Sequence, residues 1–382
     1  MSEGAPGLRF LHLHSSFDAG GKELRCVQLI NAFGPSIEHA IVSSQPAALG
    51  AGALISHEIP TDYPPDFPSL TGMPWFDRLA RIALRMKDFD LVLTYNWGAM
   101  DAVLAHTFYA KAMSLPPLVH HEDGFNEDEA RRLSRRRNWY RRVALDRADL
   151  LVVPSRGLEQ IALTAWHQPR GRVQRVPNGI DTAAYAAKPK PDVLPGLIKR
   201  KGERWVGTLA GLRAVKNLPH LVRAFAGLPE EWQLVILGEG PERAAIEREA
   251  HAAGIEHRVH LPGFVSRPET VVGLFDVFAL SSHSEQFPVS VLQAMAAGLP
   301  VAAPAVGDIA DMVAAENAPF IVPPGDGPAL AGALERLAAG PELRKTIGAA
   351  NRRRAREEFD ERRMIDRYRA LYAAAMGRHS LP

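Results

Sequence analysis

Short apolar runs alternate with longer amphipathic stretches through most of this chain, and that alternation admits few folds. In the first half the apolar runs are Leu8–His14, Ala40–Ser43, Leu91–Tyr95, Leu118–His121, Leu150–Pro154 and Arg172–Val176. Helical spacing falls between them at Lys22–Phe33, Pro74–Lys87, Ala99–Met113, Asp128–Arg147 and Gly157–His167. Strands interleaved with helices predict a parallel sheet covered on both faces. The Pro- and Gly-rich segment Ala47–Gly72 reads as an irregular excursion.

The second half repeats the pattern. Strands are expected at Trp205–Leu209, Gln233–Leu237, Val259–Leu261, Val277–Ser281, Val301–Ala303 and Phe320–Val322. Helices are expected at Leu218–Ala226, Pro241–Ala253, Glu269–Phe275, Val289–Ala297, Ile309–Ala315, Pro328–Ala338 and Glu342–Glu358. Between the halves, A-A-K-P-K-P-D-V-L-P-G is a linker by composition. The sequence therefore predicts an α/β protein of two Rossmann-like, doubly wound domains, 1–185 and 201–361, joined by 186–200 and followed by a helical tail, 362–382.

A length of 382 residues suits two such domains, and 46% hydrophobic with 23% charged residues is the balance of a soluble globular protein. The net charge of +2 is too small to point to nucleic acid. One cysteine, Cys26, excludes an internal disulfide and fits a reducing compartment. Its helical setting reads as a small buried apolar residue. The start M-S-E-G-A-P-G-L-R-F lacks the features of a signal peptide, and no apolar run approaches the ~18 residues of a membrane span. The expected location is the cytoplasm.

The stretch Ser284–Pro300, S-E-Q-F-P-V-S-V-L-Q-A-M-A-A-G-L-P, carries the clearest chemistry. Glu285 stands in a loop, Pro288 suits a first helical turn, and Val289, Leu292, Met295 and Ala296 recur at helical spacing up to Gly298. Free N–H groups at a helix start hold phosphate, while a carboxylate just before them accepts bonds from hydroxyls. A nucleotide sugar offers both groups.

This stretch resembles the donor-binding signature of the retaining, family-4 type glycosyltransferases, E-x-F-P with a second Glu eight positions after the first. Glu285, Phe287 and Pro288 match it; the second acid is replaced by Gln293. The resemblance runs over nearly the whole chain. It implies the GT-B fold, two Rossmann-like domains facing across a cleft, with the last helix (candidate Arg362–Met376) packing back on the first domain. The family carries an Arg and then a Lys that neutralise the donor diphosphate: Lys216 holds the Lys position, Gly211 the Arg position, and Arg213 stands two residues on. Gly207, Gly238 and Gly240 fall on the donor wall, and Val289 and Ser290 on the helix start beneath the phosphates.

Asp18–Glu23, D-A-G-G-K-E, follows the first strand, where open sheets bind ligands, so Gly20 and Gly21 are candidates for facing donor phosphates and acceptor; the alternative is a tight strand-to-helix turn. In V-H-H-E-D-G-F, Val119–Phe125, the family histidine near the donor sugar falls on His121, with His120 and Asp123 as other alignments and a purely structural role also open. Neighbours on a strand point to opposite faces, so this cluster is not expected to chelate a metal. P-N-G-I-D, Pro177–Asp181, matches the family but is mainly turn chemistry. D-F-D, Asp88–Asp90, reads as a cap and not as a metal motif. The helix Asp128–Arg147 carries Arg131, Arg132, Arg135, Arg136, Arg137, Arg141, Arg142 and Arg147; beside Trp139 they form either a solvated face, which is favoured, or a contact for anionic lipid.

The resemblance implies transfer of a sugar from a UDP- or GDP-linked donor to a hydroxyl acceptor of a cell-envelope glycan or glycolipid, with no cofactor and no metal. The rivals are an epimerase or phosphorylase on the same fold, and a non-catalytic binding protein marked by Gly211 and Gln293.

Overall fold

The computed structural model describes residues 7–125, 129 and 132–382. The chain divides into two compact units, one up to Pro177 together with Met364–Pro382, the other Asn178–Arg363.

The first unit is built on β1 (Leu8–His14), α1 (Gly21–Phe33), β2 (Ile37–Ser43), β3 (Thr61–Asp62), α2 (Phe76–Met86), β4 (Leu91–Tyr95), α3 (Met100–Met113), β5 (Leu118–His121), α4 (Arg135–Ala144), β6 (Leu150–Val153), α5 (Arg156–Thr164) and β7 (Val173–Arg175). Its sheet order is β3-β2-β1-β4-β5-β6-β7. Every described strand pair in it is parallel. The second unit holds β8 (Arg204–Leu209), α6 (Leu218–Phe225), β9 (Trp232–Leu237), α7 (Arg243–Ala252), β10 (Val259–Gly263), β11 (Val277–Ala279), α8 (Val289–Ala296), β12 (Val301–Pro304), α9 (Ile309–Met312), β13 (Ile321–Val322), α10 (Gly327–Ala339) and α11 (Pro341–Glu358). Its order, β10-β9-β8-β11-β12-β13, is again wholly parallel and doubly wound. The order reverses between β1 and β4 in one sheet and between β8 and β11 in the other. At such points the outgoing loops of adjacent strands diverge and leave a ligand crevice.

The apolar runs become strands because helices seal both sheet faces: separate apolar clusters lie on the two sides of each sheet. The last helix, α12 (Glu361–Ala375), inserts Met364, Tyr368, Leu371 and Tyr372 into the cluster around Phe10, Leu93 and Tyr95. Asp90 is a strand-register residue, its carboxylate accepting the Arg9 N–H at 2.8 Å.

Four expectations need correction. The irregular segment contributes β3, whose two residues are too few to show a pattern. The helix expected at Glu269–Phe275 is two 3-10 turns, Pro268–Thr270 and Val272–Leu274, with Gly273 packed against Pro189. The helix expected to Ala315 stops at Met312, and the Ala314 N–H bonds the Asn351 side chain instead, at 3.0 Å. The long basic helix begins at Arg135, where the Ser134 hydroxyl accepts the Arg137 N–H; Asp128 and Arg131 lie outside the described residues.

Nor is α4 basic all round. Arg141 is 1% exposed, bonds Glu122 at 3.3 Å and Glu129 at 3.1 Å, and lies over the rings of Trp97, Phe125 and Trp166. Removing one partner of a buried ion network leaves the others uncompensated. Arg141→Ala should destabilise the first unit by about 3–5 kcal/mol, read as a lower urea midpoint at unchanged slope.

Candidate functional site

In the second unit, β8 and β11 are neighbours, so the loops leaving them meet at one sheet edge. Hydrogen bonds to backbone carbonyls lace the two loops together. Ser281 Oγ lies 3.0 Å from the Lys216 carbonyl and 2.9 Å from that of Asn217, and the His283 N–H donates to the Val215 carbonyl at 2.8 Å. That lacing brings the Lys216 ammonium to the Glu285 carboxylate, Nζ to Oε1 2.5 Å, while the Ser282 hydroxyl donates to the same oxygen at 2.7 Å. Both charged side chains are largely withdrawn from solvent. Arg213 is exposed, and its Nε lies 3.5 Å from where a Gly211 Cβ would stand. Its guanidinium thus borders the space that a side chain at 211 would enter.

The Glu285 loop is also held from behind. Gly307 has φ +57°, and a Cβ there would fall 2.5 Å from the Glu285 carbonyl oxygen and 2.6 Å from that of Gln286. The next N–H, from Asp308, donates to the Gln286 carbonyl at 3.0 Å. The Asn178 amide donates to the Phe287 carbonyl at 3.1 Å, so the P-N-G-I-D turn fixes the loop rather than presenting a reactive atom. The ring of Phe287 is buried edge-on to Phe359. Gly307 escaped the sequence reading, although a Gly-Asp pair directly after an apolar strand was a turn signal.

Helix α8 starts at Val289 as expected, with Pro288 as its N-cap rather than in its first turn, so Val289 and Ser290 head the helix and are half-exposed. Gln293 lies one turn on, its side chain beside the Tyr185 hydroxyl. Burial, together with nearby Glu269, raises the Tyr185 pKa and keeps that hydroxyl neutral. The three glycines expected on the donor wall, Gly207, Gly238 and Gly240, stand where other protein atoms approach closely. A Cβ on Gly207 would strike the Phe275 ring, and Cβ atoms on Gly238 and Gly240 would strike the carbonyls of Ala210 and Leu212. The last two let the β9 turn press on the loop that carries Arg213.

In the first unit, Gly20 caps α1, and a Cβ there would lie 2.7 Å from the Glu23 carboxylate, which folds over the helix start and pairs with Lys22. Gly21 is exposed with open space beside it. His121 is enclosed, not presented to a ligand: Nδ1 takes the Thr94 carbonyl at 3.1 Å, Nε2 the Tyr372 hydroxyl at 2.8 Å, and its ring stacks on Tyr95. The reason is β5 itself, which lies inside the sheet with α12 across its face. His120 is likewise bonded to Thr94 Oγ1 at 2.8 Å. Asp123 takes its partner from Arg25, Nη2 to Oδ2 2.9 Å, and its N–H donates to Asn96 Oδ1 at 2.7 Å. Burial would raise the Asp123 pKa; the Arg25 guanidinium outweighs it and holds the carboxyl below its usual value.

Two family models match the chain: "Glycosyltransferase Family 4" over residues 19–184 and "Glycosyl transferases group 1" over residues 193–354. The chain belongs to the group 1, family-4 glycosyltransferases. Among curated members of that family, N-acetyl-alpha-D-glucosaminyl L-malate synthase of Bacillus anthracis is 25% identical over 236 residues, 60% of this chain and 61% of that protein. Alpha-maltose-1-phosphate synthase of Mycolicibacterium smegmatis is 28% identical over 354 residues, 84% of this chain and 87% of its own. The first of these and three further glycosyltransferase relatives are matched over only 40% to 61% of their length. The crystal structure of Anabaena Alr3699/HepE in complex with UDP superposes with a TM-score of 0.80 at 20% identity, covering 96% of this chain and 100% of that one. The fold is GT-B.

Burial, and after it the charge of Arg25, presses the pKa of His121 down to about 3. The unfolded chain binds a proton at this residue near pH 6.5 and the folded chain does not, so its contribution to stability is lost as pH falls below about 6.5. Acidification toward pH 4 should lower the urea midpoint, and the decline should be shallower in His121→Gln.

Proposed function

We propose that this chain is a retaining glycosyltransferase that moves a hexose-type sugar from a UDP- or GDP-linked donor to a hydroxyl acceptor, a cell-envelope glycan or glycolipid precursor in the cytoplasm. The contact between Lys216 and Glu285 carries the reading, because two oppositely charged groups far apart in sequence are held together at the carboxyl ends of β8 and β11. Lys216 and Arg213 would neutralise the departing diphosphate, aided by the N–H groups of Val289 and Ser290 at the start of α8. Glu285 would accept hydroxyls of the donor sugar, and Gln293 would face the ribose. Two cations on the phosphates make a metal unnecessary for that charge. In the reaction the bond from the anomeric carbon to the diphosphate breaks and the acceptor oxygen bonds that carbon on the same face. The acceptor proton goes to the departing phosphate oxygen, so no enzymic nucleophile is needed.

In the first unit, Gly21 is the member of the G-G pair left open to a ligand. An anionic membrane surface is a further partner in this reading, supported by exposed Trp139 among exposed Arg135, Arg136 and Arg142. No described helix is long and apolar enough to cross a membrane.

The rival reading, a binding protein that has lost catalysis, rested on Gly211 and Gln293. Arg213 beside the vacated 211 position weakens the first of those grounds.

Thermal stabilisation by UDP-, GDP-, ADP- and CDP-linked sugars tests the proposal, since a ligand of the folded state raises the melting temperature by mass action. One donor should give an increment over the donor-free sample, and that increment should persist in EDTA; no increment with any donor would favour the binding protein. Lys216→Ala should weaken that donor roughly tenfold to a hundredfold, the worth of a charge-assisted hydrogen bond. Gln293→Glu should change nucleotide affinity severalfold; equal affinity would remove Gln293 from the ribose.

A further inference from the structure

The first unit holds a group of side chains that sugar transfer does not use. His12 and His14, two residues apart on β1, leave the strand on the same side. Cys26, in the second turn of α1, packs against them. Its Sγ and one ring nitrogen of each histidine all lie within 4.8 Å of one another, and all three side chains are buried. His12 Nδ1 is 3.3 Å from Cys26 Sγ, and His12 Nε2 shares a hydrogen bond with His39 Nδ1 at 2.9 Å. His14 is 0% exposed, yet neither of its ring nitrogens has a hydrogen-bond partner among the described residues. A neutral imidazole has one donor and one acceptor nitrogen, and protein interiors satisfy such groups in the large majority of cases.

We propose that His12, His14 and Cys26 bind a divalent metal ion of the zinc type. Two imidazoles and a thiolate form a borderline-soft donor set that suits Zn2+, and three protein ligands leave a fourth position for water or another small ligand. His39 already does what an outer partner of a metal-bound histidine does: its bond at Nε2 fixes the ring and leaves Nδ1 turned toward the thiol. Tyr95 OH, 3.2 Å from His12 Nδ1, yields that contact when the metal takes the nitrogen. Coordination breaks the Cys26 S–H bond, the sulfur lone pair going to the metal and the proton to solvent, with no change of oxidation state. The ion would join the end of β1 to α1 and so clamp the loop of residues 15–20, which ends at Gly20.

The chain has a single cysteine, and that makes the test selective. Full-length protein without a histidine tag is stripped with chelator and dialysed against Zn2+ alone or Co2+ alone. One ion per chain should survive gel filtration, and Co2+ should give a thiolate-to-metal charge-transfer band that no set of surface histidines can produce. Cys26→Ser should lose the band and the retained ion, and Zn2+ should raise the melting temperature of the parent protein but not of the variant. A folded parent protein with no charge-transfer band overturns the proposal, as does equal metal retention by parent and Cys26→Ser. Should Cys26→Ser fail to fold, the cobalt spectrum of the parent decides alone.

Discussion

A parallel pair of strands delivers both outgoing loops to the same edge of the sheet, and every described strand pair in both units is parallel. With helices on both faces, the sheet faces are closed to ligands, and chemistry is confined to the edge where strands end. Lys216 and Glu285 are 69 residues apart in the chain, yet they share a hydrogen bond because β8 and β11 are adjacent. The same topology leaves Gly21 open at the end of β1 while closing His121 inside β5.

Legibility in the sequence followed the length scale of the forces involved. Strands buried on both faces announce themselves as apolar runs, and most expected strands lie within a residue or two of the observed ones. Elements set by a single cap or a distant partner did not announce themselves. Ser134 and Glu129 place the start of α4 through a short-range cap, and Asn351 diverts the chain after Met312 through a bond that no local pattern encodes. At Lys216, Arg213 and Glu285 motif and charge coincide in the sequence, and the structure brings Lys216 and Glu285 into contact. His121, a polar residue near a strand end, looks available in the sequence, but α12, more than 240 residues later, covers it with Tyr372. The atoms that crowd Gly207, Gly238 and Gly240 come from distant parts of the chain, so their closeness has no mark in the sequence.

The Glu285 loop gains its shape from groups that carry no charge themselves. The Ser281 hydroxyl, the His283 amide, the Asn178 side chain and the bare α-carbon of Gly307 surround it on separate sides. Bracing of this kind holds the backbone around Lys216 and Glu285 in one arrangement. Arg213 shows the complementary freedom: a guanidinium on a long stem reaches the same neighbourhood from two residues away.

The first unit is discontinuous in sequence and the second is not. During synthesis the residues up to Pro177 emerge first, but Met364, Tyr368, Leu371 and Tyr372, which complete one face of their core, are made almost 190 residues later. Until then Phe10, Tyr95 and His121 face an unfilled side of the sheet, whereas the second unit has every strand and helix it needs once Arg363 has cleared the ribosome. The domain encoded second thus has all of its own segments in hand before the one encoded first, whose core lacks a side until Met364–Tyr372 has been made.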